Sequence, residues 1–173
     1  LYDSAHGNTG TTALSVQGLH TTENAMRDQS VFGTTAELLG PRAKVKVLVV
    51  PNELRGIATA IAQGGDVSQR IYQQEQADSG TEIPLDFFKG HNILPIVYDY
   101  LTDVNNWWAV ADPQRTPTIV VGFLQGMEQP ELFVQDQPNV GSVFTADKIS
   151  YKVRHIWGFD ALDHRGVYRQ VVA

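Results

Sequence analysis

The densest cluster of ionisable side chains in this sequence is Asp160, Asp163 and His164, and a looser pair is Asp3 with His6. A carboxylate beside an imidazole can hold a metal ion or pass a proton. The first cluster matches no recurrent ligand spacing, and an acidic turn between two strands explains it equally well. Asp3 and His6 adjoin Gly7-Asn8, where turn formation is the simpler reading. Gly7 to Thr12 has the composition of a phosphate-cradling loop, but no lysine follows to reach the phosphates. No serine sits in a Gly-x-Ser-x-Gly elbow, and no Ser-x-x-Lys pair occurs. The chain has no cysteine, which removes disulfides, thiolate zinc sites and cysteine nucleophiles. The expectation is therefore no catalytic residue, no metal ligand and no cofactor. Two alternatives are carried beside it. One is a small metal-dependent hydrolase using Asp160, Asp163 and His164, and the other is a carbohydrate-binding module using Trp107 or Trp108.

Those tryptophans, with Tyr98 and Tyr100 nearby, could stack on a sugar or a base. Neighbours on a strand point to opposite faces, so at most one of the pair joins the core. The other is left to face a further layer or another subunit, which is where aromatic residues concentrate.

Composition narrows the classes further. With 13 Lys and Arg against 19 Asp and Glu, the net charge is -6, which opposes general binding to nucleic acid or an anionic membrane. No apolar run approaches the roughly 18 residues of a membrane span, so a membrane partner is not expected. Apolar residues at 42% suffice for a packed core. Residue 1 is Leu, and the first residues read as the middle of a fold, so the chain is expected to be a processed product or a fragment.

The elements that would position these side chains follow from spacing. Ser15 is placed to cap a helix running to about Gln29, with Leu14 and Leu19 as a hydrophobic staple, Val16, Leu19 and Met26 on one face, and Gly18 weakening it. Val45 to Val50 reads as a buried strand halted by Pro51. Asn52 is then expected to cap a second helix, with Leu54, Ile57, Ala58 and Ile61 sharing a face and Gly64-Gly65 as the stop. Residues 63–90 are polar and read as an exposed excursion with a short helix around Val67 to Gln76. Strands are expected at Ile93 to Leu101, Trp107 to Ala111, Thr118 to Leu124 and Glu131 to Val134. Ile149 to Gly158 alternates as one long strand with a buried face, and Val167 to Val172 closes the chain. The class is α+β.

Read in order, several segments resemble the C-terminal half of the major head proteins of Mu-like phages and of prophage protease-capsid fusions. They are Leu1 to Asn8, the helix beginning at Leu14-Ser15, and Val47 to Leu54 with Ala58 and Ala62. Asn105 to Pro113, Thr118 to Gly126, Tyr151 to Arg154 and Gly158 to Tyr168 complete the set. The resemblance implies a Hong Kong 97-type capsid fold without its N-terminal arm, extended loop and spine helix. It implies a peripheral domain up to Lys44 (1–44), an axial domain from Val45 to Phe144 (45–144) and a return to the periphery over 145–173. It also implies a structural subunit of an icosahedral phage head, assembling as hexamers and pentamers around double-stranded DNA that it touches only non-specifically. The partners implied are copies of itself, with a scaffold, a maturation protease, a portal and decoration proteins. The implied location is the virion, with the host cytoplasm during assembly. Arg70, Tyr72, Asp112, Arg115 and Trp108 are the expected subunit-contact residues, because they lie in or beside polar excursions between strands.

Overall fold

A computed structural model describes residues 1–34, 36–63 and 87–173. The expected stop at Gly64-Gly65, the helix near Val67 to Gln76 and most of the 63–90 excursion lie outside the described residues. The chain is mixed α and β, with few helices and several sheets. Contacts divide it into two compact units, Leu1–Thr118 with Ala161–Ala173, and Ile119–Asp160.

The first unit is built on a five-stranded sheet in the order β1-β9-β4-β2-β3. Its strands are β1 (Thr9–Gly10), β2 (Val45–Val50), β3 (Leu94–Val97), β4 (Trp107–Ala111) and β9 (Val167–Gln170). β2 with β4 and β4 with β9 are antiparallel, whereas β2 with β3 and β1 with β9 are parallel. The sheet thus joins strands from all three of the segments 1–44, 45–144 and 145–173. Two helices, α1 (Val16–Arg27) and α2 (Arg55–Gln63), supply its cover. Leu19, Met26, Ala58 and Ile61 bury into the same cluster as Leu48, Val50, Trp107 and Ala109, so both helices lie on one face.

Local chemistry sets these elements. Ser15 caps α1, its Oγ accepting from the Gly18 N–H at 2.9 Å, and Leu14 and Leu19 are both buried as the staple requires. The pairing of β2 with β4 shifts register between Val45 and Val47. Such a bulge reverses which side of the strand faces the core, so Val45 is buried along with Leu48 and Val50. The buried carboxylate of Glu23 accepts from the Val45 N–H at 3.3 Å, fixing the start of β2 to α1. Gln170 does similar work at the other end. It accepts from the Thr12 N–H at 2.8 Å and donates to Thr22 Oγ1 at 2.8 Å, tying β9 to the approach to α1 and to the helix itself.

The second unit has two small sheets. β5 (Ile119–Phe123) pairs with β8 (Trp157–Ala161), and β6 (Glu131–Gln135) pairs antiparallel with β7 (Ser150–Arg154). A short helix, α3 (Gly141–Ala146), joins β6 to β7 and was not anticipated from the sequence. No residue from Ile119 to Asp160 is buried.

Several expectations need correction. Asn52 does not cap α2: a 3-10 turn at Asn52–Leu54 leads in, Pro51 stands at its cap, and no side chain satisfies the turn. The 149–158 segment is two strands, broken at His155 and Ile156, because β7 and β8 pair with different partners. Its expected buried face is also absent, since every residue of both strands is exposed. The strand expected from Ile93 to Leu101 is confined to Leu94–Val97, and Tyr98 to Tyr100 form its exit.

Gly18 reads differently in three dimensions. A Cβ there would lie 2.3 Å from the Ala13 carbonyl oxygen, so the glycine lets the entering chain press against the first turn of α1. Helix propensity alone makes Gly18→Ala stabilising by about 1 kcal/mol. The clash reverses the sign, and urea unfolding is expected to show a loss of about 1 to 3 kcal/mol. A gain in stability would contradict this packing.

Candidate subunit-contact surfaces

The sites considered first from sequence are built as follows. Asp163 is held by Arg165, whose guanidinium Nη1 donates to both carboxylate oxygens at 2.9 and 3.0 Å while its backbone N–H donates to Oδ1. His164 lies 3.7 Å from the same carboxylate and stacks on His6 with ring centroids 4.0 Å apart. The fold therefore joins a member of each sequence cluster. They act as a clasp: buried Asn8 donates from Nδ2 to the carbonyl oxygens of Leu1 and His164, pinning the first residues against the turn before β9. Among the described residues no three His, Cys, Asp or Glu side chains are placed to hold a metal ion. A shallow hollow of about 210 Å³ beside Leu124, Met127, Glu131 and Arg154 is smaller than ordinary small-molecule sites.

The tryptophan pair divides as strand geometry requires. Trp107 is fully buried and its Nε1 donates to the Thr12 carbonyl at 2.9 Å. Trp108 lies on the opposite face, half-buried, with the Arg169 guanidinium 5.9 Å from its ring centroid. Asp112 follows β4 and organises a turn. Its carboxylate accepts from the Gln114 N–H at 3.0 Å, and its carbonyl accepts from the N–H groups of Arg115 and Thr116. Arg115 projects from that turn, exposed, while Thr116 is buried and donates to the Arg42 carbonyl at 2.9 Å. Arg70 and Tyr72 lie outside the described residues.

Two larger apolar surfaces were missed from sequence. The pairing of Val47 with Leu94 and Val110, and of Val49 with Ile96 and Trp108, puts all six side chains on the sheet face opposite the helices. Leu94 and Ile96 on this face are 56% and 42% exposed. The signal was present, because a strand apolar at every position from Val47 to Val50 has two faces to cover. The second surface is the β6–β7 ribbon. Leu132 lies opposite Val153, and Val134 opposite Tyr151, giving one wholly apolar face whose members are 48% to 67% exposed. The reverse face is polar: Glu131 pairs with Arg154 at 2.6 Å, and Lys152 and Arg154 lie over the Phe133 ring.

A two-stranded ribbon with an uncovered apolar face is at best marginally stable by itself. Patches of this kind mark interaction sites. The comparison with known families agrees, for a family described as phage capsid protein matches residues 2–170. This chain belongs to that family. No curated protein and no solved structure matches it. A phage capsid protein is a structural component of the virion, and its family implies self-association into capsids. The exposed apolar faces of this capsid chain are the kind of surface such association covers. No helix among its described residues is long and apolar enough to cross a membrane.

The clasp at His164 carries a pH dependence. Burial, reinforced by His6 and Arg165 and opposed by Asp163, holds its imidazole below the ordinary histidine range. The folded capsid chain then binds fewer protons than the unfolded one. Stability is complete above about pH 6.5 and falls as the pH drops through and below that value. His91 acts in the same direction, lowered chiefly by burial and then by Lys44. Urea midpoints are expected to fall between about pH 7.5 and pH 5.5, and His164→Asn is expected to flatten that slope. A slope unchanged by the substitution would remove His164 from the account.

Proposed function

We propose that this chain is a shell subunit of the Mu-like, Hong Kong 97-type class, assembling through hexamers and pentamers into an icosahedral head around double-stranded DNA. The observation that carries this is the second unit. Residues 119–160 bury none of their large apolar side chains within the chain, in a protein whose family match spans residues 2–170. Each such side chain gains about 1.5 to 3 kcal/mol on full burial, so contacts with neighbours supply what the isolated unit lacks.

In this reading no bond is made or broken, and the work is done by repeated contacts. Several modest ones acting together hold a subunit far more firmly than any of them singly. The excess of acidic residues suits a container wall, since it keeps packaged DNA from adhering strongly. Segment 45–144 is proposed as axial, with 1–44 and 145–173 peripheral and each lending a strand, β1 and β9, to the common sheet. Arg70, Tyr72, Asp112, Arg115 and Trp108 are proposed to meet neighbouring subunits. Scaffold, maturation protease, portal and decoration proteins are the accessory partners, met in the host cytoplasm during assembly.

Electron microscopy of the purified full-length product tests the reading directly, with rings or closed particles expected. A protein that stays monomeric at high concentration would count against it. Charge reversal at Arg115, an exposed side chain without an ion pair among the described residues, is expected to lower particle yield while leaving the unfolding midpoint unchanged. Full yield from that variant would exclude Arg115 from the contact.

A further inference from the structure

The two apolar faces carry or adjoin charges of opposite sign that form no ion pair among the described residues. On the outer sheet face, Arg169 pairs in register with Trp108 and lies over its ring. Its guanidinium makes no hydrogen bond or ion pair among the described residues, and its Nε is buried without a partner. Burial raises the pKa of the nearby Tyr2 phenol and Arg169 lowers it, and Arg169 forms no salt bridge among the described residues. Just past the end of β6, two residues after Val134, stands Asp136, which also has no ion pair among the described residues.

These charges decide how the faces can be covered. Ribbon against ribbon offers Asp136 no cation from the outer sheet face, and sheet against sheet offers Arg169 no anion from the ribbon. Charge complementarity across an interface favours neither arrangement. Ribbon against sheet matches apolar to apolar and cation to anion. Two β layers pack face to face at about 10 Å through interdigitating aliphatic and aromatic side chains, and Val, Leu, Ile and Tyr are suited to that.

We propose that the apolar face of the β6–β7 ribbon in one copy (Leu132, Val134, Tyr151, Val153) covers the outer sheet face of a neighbouring copy (Val47, Val49, Leu94, Ile96, Trp108), with Asp136 meeting Arg169. This deepens the shell reading and rests on it. The contact is heterologous: each copy offers a ribbon to one neighbour and a sheet face to another. Contacts of that kind propagate around a ring, whereas a self-complementary patch stops at a dimer.

The absence of cysteine makes the test clean. Full-length chains carrying one substitution each, Leu132→Cys or Val134→Cys on the ribbon and Leu94→Cys or Ile96→Cys on the sheet, are co-expressed in ribbon-with-sheet pairs under distinguishable tags. Mild oxidation is expected to give the mixed disulfide in at least one pairing, identified by mass spectrometry of the linked peptides. Neither variant expressed alone is expected to crosslink. Homotypic crosslinks without the mixed one would overturn the proposal in favour of a two-fold contact. Particles that form with no mixed crosslink in any pairing would also overturn it, while leaving the shell reading intact. Failure of the unmodified chain to associate at all would overturn both. As an independent measure, Asp136→Lys is expected to weaken association about tenfold, and Arg169→Glu in the same chain to restore it. Equal association by the single variant and the parent would contradict the charge match.

Discussion

The architecture depends on one pairing between distant parts of the chain, that of β4 with β9. β4 ends at Ala111 and its partner strand begins at Val167, with the whole second unit lying between them in sequence. The join is made at several points. The Ala111 N–H donates to the Gly166 carbonyl at 2.8 Å, and the Leu162 N–H to the Thr118 carbonyl at 2.8 Å, so departing and returning segments are tied where they meet. Gly166 permits the approach, since a Cβ there would lie 2.7 Å from the Thr116 carbonyl oxygen. Bringing together ends so far apart costs loop-closure entropy, which rises only slowly with length. Once that cost is met, β9 also pairs with β1 and, through Gln170, reaches the approach to α1 and the helix itself.

The same pairing creates a sheet with unequal faces. One face is closed by α1 and α2 over a continuous cluster that includes Trp107, Leu48 and Phe88. The other carries Val47, Val49, Trp108 and Val110 half-exposed, with Leu94 and Ile96 more so at the margin. A soluble monomer ordinarily limits such surface. In a capsid protein such surface is of the kind that self-association covers. The ribbon follows the same logic on a smaller scale, using the Glu131–Arg154 pair and the cations over Phe133 to make one face compatible with water and leaving the other apolar.

Local features were legible from sequence and pairings were not. The Ser15 cap, the bounds of Val45–Val50 and Trp107–Ala111, and the split of the tryptophans all follow from side-chain chemistry within a few residues. The break at His155 and Ile156 is different. The period-2 alternation runs through it unchanged, and only the choice of β6 and β5 as separate partners divides the segment. Alternation also shows that a strand has two kinds of face without saying what covers the apolar one, and the face with Tyr151 and Val153 is exposed in this chain. Asn52 was a sound cap by type, yet the tight turn after Pro51 took its place. The histidine stack could not be anticipated, because His6 and His164 meet only after β1 has paired with β9.

One feature of the sheet bears on the life of the chain before it finds its neighbours. Among the described residues β3 is an outer strand hydrogen-bonded on one side, and its residues Leu94 to Val97 carry none of the charges that commonly blunt such an edge. A newly made subunit therefore presents apolar side chains beside a short edge that Pro95 partly blunts. If growth into a shell covers that apolar surface, orderly assembly and disordered clumping compete for the same side chains.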